Sequence, residues 1–218
     1  MIKAIILDVD DTILNYSNEA TKIYIEASKN LKVKTPNKNL VNKMYGIPWK
    51  VSSKKLYPGL KKEKLAKIRK ELDYLFRINV HRFKLFNGAL HSLRELRKCH
   101  KLGLISSKPH KIMWMMFNYI HFPRWWFEFI YAAEDLRYDK PDGRAFSKGL
   151  KKLKLKKNEV IFVGDSIHDA KTAKHAKIRF IAVLTGHYSK RDFSKFGVKK
   201  DNILESVKYL PKWVDKND

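Results

Sequence analysis

The chain has 218 residues, enough for one or two domains with a sizeable core, and 44% of them are hydrophobic, which argues against a disordered protein. Its 47 lysines and arginines against 22 acidic residues give a formal charge of +25, which favours anionic partners such as phosphorylated metabolites, acidic lipids or nucleic acid. The single cysteine, Cys99, excludes an internal disulfide and fits a reducing compartment, so we expect a cytoplasmic protein.

Lysine is spread along most of the chain and is densest in residues 61–70 and 148–157. Leucine and isoleucine stand at helical spacing between these lysines, which is typical of an amphipathic helix with a solvated basic face. Nucleic acid is therefore a possible partner, but a small phosphorylated metabolite is favoured over it.

One apolar segment, residues 112–133, raises the question of a membrane. It contains His121, Arg124 and Glu128, and its uncharged part is about half the length of a spanning helix. We interpret it as a buried helix, a turn and a strand. The N-terminus predicts no signal peptide, so we expect no membrane association, although Trp125 and Trp126 leave a surface contact open.

Residues 15–84 are predicted to be helical throughout. Apolar side chains recur at a period near 3.6, Pro36 interrupts them, and residues 46–48, Gly-Ile-Pro, end a helix. Helices with one apolar stripe must pack on one another. We therefore expect an all-helical second domain inserted after the first strand.

The remaining chain alternates strands with helices. Short apolar runs at residues 4–7, 102–105, 129–132 and 160–163 predict strands, and residues 178–184 close the series. Alternation at this spacing implies right-handed crossovers and a parallel sheet with helices on both faces. The predicted fold class is α/β.

The first strand ends in three acids within four residues, Asp8, Asp10 and Asp11. Carboxylates that are desolvated together raise one another's pKa and cost free energy, so we expect a cation beside them. Mg²⁺ is the natural candidate, because it binds one or two carboxylates together with waters and substrate phosphate. The alternative is an acidic loop that caps the next helix.

Polar side chains also follow the other predicted strands. Ligands gather at the carboxyl ends of parallel strands, and the residues found there are Asp8, Asp10, Ser106, Lys140 and Asp165. Considered alone, a serine after a strand is typical of a helix N-cap, and a single lysine is typical of a solvated surface. Together they predict one functional site at one edge of the sheet.

Four short motifs stand in order along the chain. They are Asp8, Asp10 and Thr12 in Asp-x-Asp-x-Thr, Ser106 after an apolar strand, Lys140 in Lys-Pro-Asp-Gly, and Asp165 and Asp169 in Gly-Asp-x-x-x-Asp. The chain thus resembles the haloacid dehalogenase superfamily, specifically the phosphoglycolate phosphatase-like group. The resemblance implies a Rossmann-like core of residues 1–14 and 85–218, and a helical (C1-type) cap of residues 15–84 that closes over the substrate and excludes water.

Three places depart from the family pattern. Asp11 stands where glycine is common, residues 177–179, Lys-Ile-Arg, replace the glycine usually found after the helix of the fourth motif, and Gly143 takes the last place of the usual Lys-Pro-x-Pro. Asp11 is expected to alter how the hinge of the cap begins, and residues 177–179 to affect only a turn.

The resemblance and the chemistry of phosphate esters suggest the same roles. Asp8 attacks phosphorus and forms an aspartyl-phosphate, and Asp10 acts as general acid and then as general base. The side chains of Ser106 and Lys140 and the amides near Val9, Asp10 and Ser107 would hold the phosphoryl oxygens.

The resemblance also implies a Mg²⁺ site. Its ligands would be the carboxylates of Asp8 and Asp165 and the backbone carbonyl of Asp10. Asp169 is expected to lie behind these ligands, where it supports metal-bound waters or orients Lys140. The predicted enzyme is a Mg²⁺-dependent phosphatase acting on a small monoester, phosphoglycolate-like or a sugar phosphate.

Four other functions share part of this pattern. A phosphomutase of the same fold stays open, as does a non-catalytic basic protein that binds nucleic acid. A phosphoacceptor signalling domain is disfavoured because it lacks the helical insert, and a dehalogenase because it lacks an acid at the place of Asp10.

Substrate choice is expected to depend on the loop around Tyr45, Gly46, Pro48, Trp49 and Lys50. Hydrolysis and phosphoryl transfer to a second molecule both stay open, as do a monomer and a dimer.

Overall fold

The computed structural model describes residues 1–45, 47 and 49–218. The chain forms two compact units. The sheet unit comprises Met1–Asn15, Leu85–His110 and Pro123–Asp218, and the helical unit comprises Tyr16–Lys84 and Lys111–Phe122. The helical unit thus contains the predicted insert and, in addition, most of one later helix.

The strands are short and mostly buried. They are β1 (Ala4–Leu7), β2 (Leu14–Asn15), β3 (Lys84–Leu85), β4 (Lys101–Ile105), β5 (Phe129–Tyr131), β6 (Val160–Gly164), β7 (Arg179–Val183) and β8 (Ile203–Leu204). Six of them form one sheet in the order β5-β4-β1-β6-β7-β8, and β2 pairs with β3.

All pairs in the six-stranded sheet are parallel, and β1 lies at its centre. In the register of β1, Leu7 stands beside Leu104 of β4 and Val163 of β6. The residues that follow these three strands therefore emerge side by side at one edge of the sheet. The predicted α/β fold with a Rossmann-like parallel sheet is confirmed.

Both faces of the sheet are covered. Ala4 and Ile6 of β1 join an apolar cluster with Phe162 of β6 and with Ala170 and Ala173 of the helix that follows β6. Because side chains alternate along a strand, Ile5 and Leu7 point to the opposite face, and both are fully buried there as well. This double burial explains why β1 is continuously apolar in sequence.

The helices are α1 (Ser17–Asn30), α2 (Lys38–Met44), α3 (Trp49–Leu56), α4 (Lys62–Ile78), α5 (Ala89–Leu96), α6 (His110–Tyr119), α7 (Ser147–Leu153), α8 (Ile167–Ala176), α9 (Lys190–Lys195) and α10 (Leu210–Asn217). Among the described helices, none combines the length and the hydropathy needed to cross a membrane.

The helical unit has its own core. Helices α1 and α4 pack against each other, and the ring of Tyr16 stacks on Phe76 and Phe83 at centroid distances of 6.1 and 5.5 Å. The buried apolar side chains of the two helices are Ala20, Ile23, Ala27, Ile68, Leu72, Leu75 and Phe76. The predicted apolar stripes therefore form a core, as helices with one apolar face require.

Three sequence predictions need correction. The strand series does not close at residue 184, because β8 adds a further parallel strand after α9. The alternation of strands and helices predicts one helix over residues 143–153, but these residues form a 3₁₀ turn followed by α7. Trp49 and Lys50 begin α3 instead of lying in a loop, and Gly46 and Pro48 lie outside the described residues.

Candidate active site

Asp8, Ser106 and Asp165 directly follow three neighbouring strands. They come after β1, β4 and β6, and all three are buried. The backbone amide of Asp8 donates to the carbonyl of Val163 at 2.9 Å, so the ladder between β1 and β6 continues up to Asp8. The backbone at Asp8, the predicted nucleophile, is therefore fixed.

Lys140 connects two carboxylates of this edge. Its Nζ lies 2.5 Å from Asp8 Oδ1 and 2.7 Å from Asp169 Oδ1, and its side chain is only 8% exposed. Burial opposes the charge on Lys140, but Asp169 and Asp8 outweigh it and raise the pKa of the amine above its ordinary range. The lysine that looks solvated in sequence is a buried cation.

Asp8, Asp165 and Asp169 form a cluster whose carboxylate oxygens lie within 4.8 Å of one another. Thr12 Oγ1 lies 3.5 Å from both Asp8 Oδ2 and Asp165 Oδ1. Lys140 pairs with Asp8 and Asp169, whereas Asp165 makes no ion pair within the described part of the chain. When ionised, the three carboxylates and one ammonium leave two negative charges uncompensated, which fits a divalent cation.

The pKa shifts of Asp8 and Asp165 agree with this excess of negative charge. Burial raises the pKa of Asp8 to about 8, with Lys140 opposing and Asp169 and Asp10 adding to the shift. Burial also raises the pKa of Asp165 well above its ordinary 3.8, reinforced by Asp169 and Asp8. Hard oxygen donors held this close suit Mg²⁺, whose binding would displace the protons that these carboxyls otherwise retain.

Asp169 is held by the start of α8. Ser166 is the N-cap, its hydroxyl accepts from the Asp169 amide at 3.1 Å, and its own amide donates to Asp169 Oδ2 at 3.2 Å. This capping box uses Oδ2 and leaves Oδ1 for Lys140. Asp169 thus anchors the lysine, whereas its position behind the metal ligands stays a prediction.

Asp10 lies in a tight turn after β1. The Val9 carbonyl accepts from the amides of Ile13 and Leu14 at 3.1 and 3.0 Å, and Val9 itself is buried. Asp11 has a φ of +55°, the left-handed conformation that glycine adopts without strain. Its carbonyl accepts a hydrogen bond from Thr185 Oγ1 at 2.5 Å, which joins the turn to the loop after β7.

Lys108 is not among the predicted site residues, although it lies two residues after Ser106. Its Nζ lies 3.0 Å from Asp10 Oδ2. Its backbone amide donates to Ser106 Oγ at 3.0 Å, so the predicted phosphate-binding serine already accepts from its own loop. A lysine three residues past a strand's carboxyl end was the available signal, but lysine is so abundant in this chain that it did not stand out.

Gly186 was also missed. A Cβ at this position would lie 1.9 Å from Asp165 Oδ2, so only glycine lets the loop after β7 approach that carboxylate. The signal was a glycine shortly after a predicted strand. Together with Thr185, it makes the β7 loop part of the site's wall.

The structure therefore brings most predicted site residues together. Asp8, Lys140, Asp165 and Asp169 are linked directly, Asp10 joins Lys108, and Ser106 is linked to Lys108 through the backbone. Ser107 stands between Ser106 and Lys108 and is partly exposed. The catalytic, phosphate-binding and metal-binding roles of these residues stay predictions.

Tyr45, from the predicted specificity loop, forms hydrogen bonds within the helical unit. Its hydroxyl lies 2.8 Å from Thr21 Oγ1 and donates to the Ser17 carbonyl at 3.1 Å. The guanidinium carbon of Arg69 lies 5.7 Å from the centroid of the Trp49 ring. These two aromatics thus already have partners on α1 and α4.

Comparison with known proteins gives the family. Residues 5–183 match the model of the haloacid dehalogenase-like hydrolases. The chain is 28% identical to a glyceraldehyde 3-phosphate phosphatase from Methanocaldococcus jannaschii, over 95% of this chain and 96% of that protein.

Solved structures share the fold. A predicted phosphoglycolate phosphatase from Haemophilus somnus 129PT superimposes with a TM-score of 0.83 at 17% identity, and 98% of each chain is covered. A haloacid dehalogenase-like family protein from Streptococcus pneumoniae gives a TM-score of 0.78 at 19% identity, with the same coverage. The family model covers most of the chain, including all four motifs, and the chain therefore belongs to the haloacid dehalogenase-like hydrolase family.

Proposed function

We propose that the protein is a Mg²⁺-dependent phosphatase that hydrolyses a small phosphate monoester through an aspartyl-phosphate on Asp8. The observation that carries this proposal is the buried cluster in which Lys140 joins Asp8 to Asp169 while Asp165 has no cation of its own among the described residues. A site built in this way attracts both a divalent cation and a phosphate group.

In the first step, a carboxylate oxygen of Asp8 attacks phosphorus, and the bond from phosphorus to the ester oxygen breaks. Asp10 donates a proton to the departing oxygen. In the second step, water attacks the aspartyl-phosphate, Asp10 takes a proton from that water, and the Asp8 carboxylate is restored as phosphate leaves. Atoms and charges balance over the two steps, and the enzyme returns to its starting state.

Removal from water raises the pKa of Asp10, although Lys108 opposes the shift. A raised pKa supports the acid role, because the carboxyl must carry its proton when the ester arrives. The Lys140 ammonium is proposed to balance negative charge on the phosphoryl group and to keep Asp8 in position, which its 2.5 Å contact with Asp8 Oδ1 supports. Ser106, Ser107 and the amides near Val9 and Asp10 are proposed to contact the same oxygens.

The Mg²⁺ ligands are proposed to be the carboxylates of Asp8 and Asp165 and the Asp10 carbonyl. When bound, Mg²⁺ would neutralise charge that develops on the phosphoryl oxygens. Two further expectations stay predictions. Residues 15–84 are expected to form a cap that selects the substrate, and the protein is expected to be cytoplasmic.

A triose phosphate, another sugar phosphate or phosphoglycolate is the proposed substrate class. The support is the name of the relative from Methanocaldococcus jannaschii, a glyceraldehyde 3-phosphate phosphatase that matches this chain over nearly its whole length. The partner is thus a small phosphorylated metabolite.

The test measures phosphate release from p-nitrophenyl phosphate, glyceraldehyde 3-phosphate, phosphoglycolate and glucose 6-phosphate, with Mg²⁺ or with EDTA. We expect Mg²⁺-dependent release that is abolished in Asp8→Asn, whose folding is checked by circular dichroism. Exposed Asp215→Asn on α10 is the matched control and should retain full activity. Release that persists in folded Asp8→Asn would refute the nucleophile, and transfer to a second sugar without release would indicate a phosphomutase.

A further inference from the structure

Lys108 has no role in the two reaction steps proposed above. Its side chain is 3% exposed, although lysine is rarely buried unless it is paired. Its backbone is fixed at both ends: the amide donates to Ser106 Oγ at 3.0 Å, and the carbonyl accepts from the Ala133 amide at 3.0 Å. The base of the side chain therefore has little freedom.

The far end of Lys108 reaches one oxygen of Asp10. Nζ lies 3.0 Å from Asp10 Oδ2. The other oxygen, Oδ1, is buried and has no hydrogen-bond partner among the described residues. With Oδ2 held by Lys108, the Asp10 carboxyl group has a defined orientation, and its hydrogen-bonding capacity at Oδ1 is unused by the described residues.

Stability alone is a weak reason for this arrangement. Burying an ammonium and a carboxylate costs desolvation free energy that their attraction often does not recover, and apolar residues of similar volume are frequently as stable. Asp8 is held separately by Lys140, so each of the two acids near β1 has its own lysine. The duplication suggests that the two carboxyl groups are oriented for different tasks.

We propose that Lys108 is a positioning residue that holds Asp10 Oδ2 and thereby directs Asp10 Oδ1 at the leaving-group oxygen for proton transfer. This inference rests on the proposed phosphatase function. The proton moves from Asp10 Oδ1 to the ester oxygen as the phosphorus–oxygen bond breaks, and Lys108 gives up no proton. Its contribution is to fix the orientation of the acid.

A leaving-group comparison tests the role. An alkyl phosphate needs a proton on its departing oxygen, whereas p-nitrophenolate leaves readily as an anion. We expect Lys108→Met to lower kcat/KM for an alkyl ester by about 100-fold, within the range of general acid catalysis, and to lower kcat/KM for p-nitrophenyl phosphate by less than about 10-fold. The ratio kcat/KM is chosen because it covers the steps up to departure of the leaving group.

The control for charge is Lys111→Met, which removes an exposed lysine three residues further on and should leave both values unchanged. The control for folding is the double variant Asp10→Asn with Lys108→Met, in which no buried carboxylate is left without its cation. In the Asp10→Asn background, the added Lys108→Met should not change the ratio of the two esters, because the acid is already absent.

The outcomes separate this inference from the proposed function. Equal losses for both esters in folded Lys108→Met, or a further change of the ratio in the Asp10→Asn background, would overturn the positioning role while wild-type turnover stands. A wild type that hydrolyses neither ester would overturn both proposals.

Discussion

The Lys140 ammonium lies 2.5 Å from Asp8 Oδ1, and the two side chains are 8% and 7% exposed. Residues 132 positions apart in sequence thus form one of the most buried ion pairs of the sheet unit. Because Lys140 also reaches Asp169, it is the positive charge that allows three acids to share one small volume.

Lys140→Met should therefore be costly. It leaves Asp8 and Asp169 without their cation, and breaking a buried pair by removing one partner typically costs about 3–5 kcal/mol. We also expect kcat to fall by at least about 100-fold, as for other losses of charge stabilisation at a reacting group. Urea unfolding in EDTA and phosphate release are the two measurements.

Lys148→Met is the matched control for that prediction. Lys148 is 54% exposed and lies 3.7 Å from Asp135, so its removal should change the free energy of unfolding by no more than about 1 kcal/mol. Similar losses in the two variants would contradict the role given to Lys140.

Asp165→Asn should have opposite effects with and without metal. Without Mg²⁺, the change removes one of three crowded acids and should raise the melting temperature, since like charges no longer repel. With Mg²⁺, the wild type should gain stability in proportion to metal occupancy, whereas the variant should gain little. Thermal unfolding with EDTA and with rising Mg²⁺ checks both signs, and Asp215→Asn should behave like wild type. A variant that Mg²⁺ stabilises as strongly as wild type would exclude Asp165 as a ligand.

The stability of the metal-free protein should depend on pH through Asp8. Burial raises the pKa of Asp8 from its ordinary 3.8 to about 8, so between these values the folded state holds a proton that the unfolded state releases. The contribution of Asp8 is therefore full below about pH 4 and is lost as the pH rises towards about 8. Asp8→Asn lacks this titration.

The measurement is the free energy of unfolding in EDTA for wild type and Asp8→Asn at several pH values between 4 and 8. We expect the wild type to lose stability relative to the variant as the pH rises. A constant difference, or one of the opposite sign, would show that Asp8 is already ionised in the folded protein.

Lys177→Gly should stabilise the protein. Lys177 ends α8 with a φ of +57°, the left-handed conformation that costs a residue with a side chain about 1–2 kcal/mol and glycine almost nothing. After allowance for the greater freedom of glycine in the unfolded chain, we expect a gain of about 0.5–1 kcal/mol. Lys171→Gly, at an exposed position inside the same helix, should instead lose about 1 kcal/mol. Thermal unfolding compares the two.

The elements that the sequence predicted are those with strong local patterns. β1 and β6 are continuous apolar runs, and α4 carries a stripe at helical period, so each could be recognised without its neighbours. β8 has only two residues and α9 only six, too few to establish a period, and both were missed. Their formation depends on the pairing of β8 with β7 and on burial of Phe193 and Ile203, which are tertiary effects.

The candidate site likewise contains residues that a local sequence pattern predicts and residues that it does not. Asp8, Asp10 and Asp165 stood out because acids directly after apolar strands are unusual, and the structure places them at one edge. The roles of Lys108 and Gly186 depend on contacts with Asp10 and Asp165, 98 and 21 positions away in sequence. No local pattern distinguishes such a lysine from the many solvated ones.

The turn after β1 has a further consequence. The Phe86 amide donates to the Ile13 carbonyl at 2.9 Å, so the two ends of the excursion through residues 16–84 are fastened together by the sheet unit itself. All the carboxylates and lysines of the candidate site also belong to that unit. Because loop-closure entropy grows slowly with length, by about 0.6 kcal/mol per doubling, grafting a different segment between these ends should cost little. A different helical segment can therefore be joined to the sheet unit at this junction. The proposed cap role predicts that such a chimaera changes its substrate preference and keeps the proposed reacting groups.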